Sequence, residues 1–359
     1  MSLWKDRLLH LVALLGRYPK LVALLGFVSG VGSFILVDRQ AGLAKVIALV
    51  MLVSWVWLVL ENLFTRGIAR WFGWQLPRPL LRYATQMIHQ ESLFFVLPFF
   101  LITTTWNSSQ AVFTGLLAGA ALISIIDPLY YKGLATRRWI FLAYHTLALF
   151  AVLLTALPVI LHLTTAQSYR LALGTAVLLS FPSLAVTFQV QRWWRAVALV
   201  GMTLAVGGAG WLARPWVPPA TLWLTEVAVT LELDDRNRAP GQGIKALSAA
   251  QLRAQGLFAY TAINAPRGLA ERIYHVWLHN GREVDRIALE IHGGREAGYR
   301  AWTHKQNFPE HSVGRWQVRV LTEAGQMIGV LRFRVVDGPA PPIPETPASV
   351  PALEKFPHF

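Results

Sequence analysis

Seven apolar stretches occupy most of the first 213 residues: Leu21–Val37, Leu43–Phe64, Gln86–Thr105, Ala111–Tyr130, Trp139–Leu163, Tyr169–Phe188 and Ala196–Ala213. Each approaches the roughly 20 residues that an α-helix needs to cross a hydrocarbon core. The pattern therefore predicts an all-α membrane bundle of about seven transmembrane helices over residues 21–213. The third stretch is the least apolar, with His89, Gln90 and Glu91 in its first turns and Pro98 inside it. Ahead of the first, Leu3, Trp4, Leu8, Leu11, Val12 and Leu15 recur at helical spacing opposite Lys5, Asp6, Arg7 and Arg17. That spacing predicts an amphipathic, interfacial helix over residues 1–20. The first span follows basic residues as a signal sequence would, but no small-residue cleavage site closes it, so it reads as a retained anchor.

Past Arg214, prolines 215, 218 and 219 break the last helix and the period changes from helix to strand. Thr225–Leu233, Phe258–Asn264, Ile273–His279, Val284–Ile291, Gly298–His304, Trp316–Leu321 and Ile328–Val336 read as strands, and Ala249–Ala254 as a short helix. Asn280-Gly281 between two of the strands is a strong hairpin signal. Short antiparallel strands joined by tight turns predict an all-β, immunoglobulin-like sandwich over residues 220–337. From residue 338 to 359, prolines fall among few charges, the composition of a disordered tail.

Composition agrees with a lipid environment: 54% of residues are hydrophobic, 14% are charged and the mean hydropathy is +0.43. The net charge of +14 gains meaning from its location. Residues 1–220 hold 17 Lys+Arg against 5 Asp+Glu, whereas the remaining 139 residues hold 16 against 14. A nucleic-acid module would concentrate the excess on its folded soluble domain, so no nucleic-acid partner is expected. The excess instead follows alternate loops: Lys5, Arg7, Arg17 and Lys20, then Arg66, Arg70, Arg78 and Arg82, then Lys132, Arg137 and Arg138, then Arg192 and Arg195. The other loops carry only Arg39, Lys45 and Arg170, with Arg214 after the last span. The positive-inside rule then predicts a multi-pass protein of the bacterial inner membrane, N-terminus cytoplasmic and C-terminal domain periplasmic. Cysteine is absent, which removes disulfides and thiolate metal sites.

Glu61, His89, Glu91, Asp127 and His145 fall within the predicted spans. Burying such groups in lipid is costly and often functional. In the predicted orientation all five lie toward the cytoplasmic ends of their helices, where they could line a polar pocket. The plainer alternative is that they reach the head groups, end a helix at Asp127-Pro128 or hydrogen-bond a neighbouring helix. Gly26 with Gly30 and Gly115 with Gly119 stand at the spacing that lets membrane helices approach closely.

The run AYTAINAP from Ala259, followed from Glu271 by ERIYHVWLHNGREVDRIALEIHGGREAGYRAWTHKQNFPEHSVGRWQVRVLTEAGQMIGVLRFRV, resembles domain of unknown function 2914. The membrane half resembles domain of unknown function 5924, the multi-span region that accompanies it. The resemblances cover most of the chain and imply no established activity, cofactor or site.

Strand alternation groups His275, Trp277 and His279 on one face and Arg300, Trp302 and His304 on another. His275, Trp277, Arg300, Trp302 and His304 are therefore candidate ligand-binding residues, able to stack on a sugar ring or hold an anionic group. The alternative reading makes one tryptophan the plug of the sandwich core. His275 and His279, four apart on a strand, stand roughly 13 Å from each other and share no metal; a cross-strand pair of His275 with His304 is the remaining metal arrangement. No GxSxG, GxxxxGK[ST] or GxGxxG motif occurs. No cofactor and no metal are expected, and no catalytic signature favours an enzyme. The favoured reading is a bilayer-anchored sandwich that binds a periplasmic glycan, a lipid head group or an envelope protein. The alternative is a membrane-embedded enzyme or transporter acting on a lipid-linked substrate through the cytoplasmic-side pocket.

Overall fold

The computed structural model describes residues 46–58, 78–188, 193–234, 236–295 and 297–338, with Val28, Leu60 and Arg70 as single positions. The amphipathic helix over residues 1–20, most of the span Leu21–Val37, Glu61 and the tail from residue 339 lie outside these residues. Among the described ones the chain forms a helical N-terminal region followed by a β-rich domain with sheets, and it divides into two compact units.

The helical unit contains α1 (Val46–Leu58), α2 (Arg78–Thr103), α3 (Gln110–Ile125), a π-helical segment (Pro128–Leu134), α4 (Arg138–Leu161), α5 (Thr165–Phe188) and α6 (Trp193–Leu212). Two of the described helices, α4 and α6, are long and apolar enough to cross a membrane, or three spans result if α3 and the π-helical segment count as one. Those two are bent by 104°. Pro128, which lacks an N–H and whose ring blocks the preceding turn, enforces the break. The continuous helix expected over Ala111–Tyr130 therefore breaks after Ile125. Gly115 and Gly119 have open space where a Cβ would stand, so among the described residues no helix packs closely against them.

Helix α4 is the best buried, with Ala148 to Pro158 enclosed. Tyr144 on it donates to the Ala120 carbonyl of α3 at 3.0 Å, Phe150 meets Phe113 and Tyr169 edge-on, and Tyr169 donates to the Gly210 carbonyl of α6 at 2.6 Å. Exposed tryptophans mark the helix ends: Trp139 opens α4, Trp193 and Trp194 open α6, and Trp211 and Trp216 lie at its close. Amphipathic rings at both ends of apolar helices are the arrangement of the aromatic belts of membrane proteins.

The second unit comprises Ile102–Ala111, Leu161–Gln167 and the chain from Arg214 onward. Its strands are β1 (Trp223–Thr230), β2 (Leu233–Asp234), β3 (Ala239–Pro240), β4 (Ala246–Ser248), β5 (Leu257–Asn264), β6 (Ala270–His279), β7 (Arg282–His292), β8 (Tyr299–Lys305), β9 (Gly314–Thr322) and β10 (Met327–Val336), with helix α7 (Ala249–Gln255) before β5. They form a three-stranded sheet, β1-β5-β8, a five-stranded sheet, β4-β10-β9-β6-β7, and the small pair β2-β3. One apolar core draws on both larger sheets, with Ala259, Ile263 and Ala301 from the first against Ile273, Trp277, Val318, Val320 and Phe333 from the second. At one edge Lys305 of β8 and Asp285 of β7 form an ion pair at 2.7 Å, tying the sheets together.

Local chemistry explains the chain reversals. Asn280 and Gly281 both take positive φ, 47° and 87°, the type I′ requirement of a two-residue hairpin. Ser248 and Gln251 make a reciprocal capping box at the start of α7. Two segments from between helices fasten onto the sheets. The Thr165 N–H donates to Glu271 Oε2 at 2.8 Å and its hydroxyl to Oε1 at 2.6 Å, while Gln110 Nε2 donates to the Met327 carbonyl at 2.8 Å. Arg214 Nε donates to the Ala324 carbonyl at 2.9 Å.

Candidate functional site

Strand β6 lies between β9 and β7, and alternation turns Glu271, Ile273, His275 and Trp277 toward the three-stranded sheet. His275 and Trp277 are fully buried, so they belong to the interior and not to an exposed ligand face. The face grouping holds, but a strand packed against a second sheet has no free side there. His275 fits because β5 and β8 bring hydroxyls to it: its Nε2 lies 3.2 Å from Thr261 Oγ1 and its Nδ1 3.1 Å from Thr303 Oγ1. Burial pulls its imidazole down to about 3, well below the usual value near 6.5. Trp277 serves as the core plug. Its Nε1 has no hydrogen-bond partner among the described residues. His275 faces inward and His304 outward, in different sheets, so the two cannot share a metal ion.

Arg300, Trp302 and His304 lie together on the outer face of the three-stranded sheet. There the β5–β8 register pairs Phe258 with His304, Tyr260 with Trp302 and Ala262 with Arg300. His304 is exposed and stacks flat on Phe258, ring centroids 3.9 Å apart. Trp302 is half-buried beside the enclosed Tyr260, Ala228 and Ala262. Arg300 Nη1 donates to the Asn237 carbonyl, drawing the β2–β3 hairpin over the end of this face. Tyr260 donates to Glu226 Oε2 at 3.3 Å, and its burial, together with that carboxylate, pushes the phenol up to about 12. Phe258, Tyr260 and Glu226 were legible as alternate positions of their strands, but only the register shows that Phe258 and the enclosed Tyr260 stand on the same face as Trp302. The side chains gathered there are the half-buried indole of Trp302, the stacked rings of Phe258 and His304, the Arg300 guanidinium and the Glu226 carboxylate.

The helical unit holds a second polar cluster. His89 of α2, fully buried, has Nδ1 2.8 Å from the Tyr130 hydroxyl and Nε2 3.0 Å from His145 Nδ1 on α4. A neutral imidazole offers one donor and one acceptor, so the three groups form a directed hydrogen-bond chain. Trp55 of α1 lies against both imidazoles, and its Nε1 donates to Ser92 at 2.9 Å. One turn before His89, Gln86 donates to Asp127 Oδ1 at 2.8 Å and to the Ser124 carbonyl at 3.0 Å. His89 and His145 are thus brought together, with Tyr130 and Trp55 against them, while Asp127 is held separately by Gln86. Glu91 is half-buried two positions along α2, and Glu61 lies outside the described residues. The tyrosine and glutamine have ordinary membrane-helix chemistry, and nothing in the linear pattern marked them.

Residues 1–259 match the model of DUF5924, a family of unknown function, and residues 270–335 match DUF2914, a protein of unknown function. No curated protein and no solved structure matches the chain.

Proposed function

We propose, for a chain that belongs to the DUF5924 family of unknown function, a role as an envelope-binding protein. In this reading about seven spans anchor it in the bacterial inner membrane, and the β-rich domain is an immunoglobulin-like sandwich exported to the periplasm. The observation that carries the binding function is the outer face of the three-stranded sheet, where Trp302, Arg300 and His304 line up beside Phe258 and Tyr260. A glycan fits this chemistry best, stacking a sugar ring on Trp302 and offering hydroxyls or a carboxylate to Arg300. The orientation draws support from the segments that hydrogen-bond to the sheets. Gln110, Thr165 and Arg214 come from the very loops that the Lys and Arg bias assigns to the periplasmic side.

The test is co-sedimentation of the full chain in micelles with purified cell-wall polysaccharide. Trp302→Ala and Arg300→Ala should each lose retention while keeping the wild-type melting temperature; retention equal to wild type would refute the proposal. The contact of His89 with His145 and Tyr130, with Asp127 held by Gln86 nearby along the same helix, favours a second reading, a membrane-embedded enzyme or transporter working on a lipid-linked substrate. Loss of cellular function in His89→Phe or Asp127→Asn at normal protein levels, with Trp302→Ala fully functional, would replace the first reading by the second.

A further inference from the structure

The face of the five-stranded sheet that points away from the core carries a second, different surface. Along β9 its outward positions are Arg315, Gln317, Arg319 and Leu321, and along β10 they are Val330, Arg332, Arg334 and Val336. All four arginines are exposed. The register places Arg334 directly opposite Arg315, Arg332 opposite Gln317 and Arg319 opposite Val330. With about 7 Å between alternate residues and about 5 Å between strands, four guanidinium groups stand on a strip roughly 14 Å long.

The neighbouring arginines of the same face are already neutralised. Arg286 makes a double hydrogen bond to Glu283 and lies over the Tyr274 ring, and Arg272 pairs with Glu290. Among the described residues none of Arg315, Arg319, Arg332 and Arg334 has an acidic partner. Like charges directly opposite on antiparallel strands oppose sheet formation, so the Arg315–Arg334 pair is a cost that no acidic partner among the described residues offsets. It does not serve to protect a sheet edge, since β9 is paired on both sides, with β10 and β6.

We propose that this strip is a docking surface for a linear, phosphate-bearing polymer. The cations are all arginine, whose planar fork grips a phosphate through two parallel hydrogen bonds where lysine supplies only a point charge. An acidic peptide is the weaker fit. Extended peptides bind sheets by adding to a free edge, and the fully paired β9 leaves none beneath Arg315 and Arg319. A bilayer surface is also the weaker fit. The segments that lead to helices fasten at the turn between β9 and β10, through Ala324 and Met327, whereas Arg315 lies seven residues back from Thr322. That is roughly 24 Å of strand toward the opposite end of the domain.

The experiment uses the full chain in neutral-detergent micelles and fluorescently labelled inorganic polyphosphate, read by anisotropy. The wild type should bind in a salt-sensitive manner. Arg315→Gln with Arg334→Gln should weaken binding at least tenfold without lowering the melting temperature, since a repulsive pair is removed. Arg315→Lys with Arg334→Lys should fall between the two, and Arg272→Gln with Arg286→Gln, which removes equal charge from the paired positions, should bind as wild type. Equal affinity of the first variant and the wild type would overturn the proposal. Tighter binding of polyglutamate than of polyphosphate through the same arginines would assign the strip to an acidic protein, and binding only to phosphatidylglycerol vesicles would assign it to a membrane; either result overturns it.

Discussion

Glu271 offers the sharpest quantitative test of the structure. It sits on the core face of β6, 2% exposed, and both carboxylate oxygens accept hydrogen bonds from Thr165. Burial raises its carboxyl to about 6 from an ordinary value of 4.5, against the opposing effect of the Thr165 hydrogen bonds. The folded state therefore binds this proton more tightly than the unfolded state does. The associated stability is complete below the unfolded value, declines as pH rises through the folded one, and is lost above it. A raise of this size corresponds to about 2 kcal/mol, or roughly 30-fold in an opening equilibrium. Glutamine reproduces the protonated acid, with a carbonyl to accept the Thr165 N–H and an amide to donate to its hydroxyl. The assay is hydrogen exchange at the Thr165 amide, corrected for the intrinsic pH dependence of exchange. Wild-type protection should fall about 30-fold between pH 4 and pH 7.5. Glu271→Gln should show a flat profile and, at pH 7.5, exceed wild-type protection by a similar factor. A flat wild-type profile, or a glutamine variant less protected than wild type at pH 7.5, would refute the reasoning.

The interior of the β-rich domain yields two further predictions. Trp277 is fully enclosed between the sheets, so Trp277→Ala should cost about 3 to 5 kcal/mol in urea unfolding; Trp277→Phe should cost much less, because the indole N–H it removes has no partner among the described residues. His275, held neutral with its imidazole pulled down to about 3, contributes stability that is present above pH 6.5 and lost as the pH falls toward 3. Wild type should lose about 2 kcal/mol of that contribution by pH 5, and His275→Gln should remove this part of the acid sensitivity, as urea midpoints at pH 7 and pH 5 would register.

Much of the architecture was legible in the order of residues because it depends on local rules. Period-two alternation located the ends of β5 to β10 to within three residues, and Asn280-Gly281 placed the hairpin through its need for positive φ. Alternation also put Arg300, Trp302 and His304 on one face of β8. What it could not supply was the layer beyond each face. Whether His275 and Trp277 were exposed or in the core stayed open because a strand's two faces look alike until a second sheet covers one of them, and here that sheet brings Thr261 and Thr303 to the imidazole. Likewise Glu271 became a buried acid only when the Thr165 segment, distant along the chain, closed over it. His89, His145 and Tyr130 became a cluster only when three helical segments met. Conformational preference and periodicity act between neighbours in the chain and can be read there; burial, register and charge pairing are contacts between distant residues, and only the folded chain decides them.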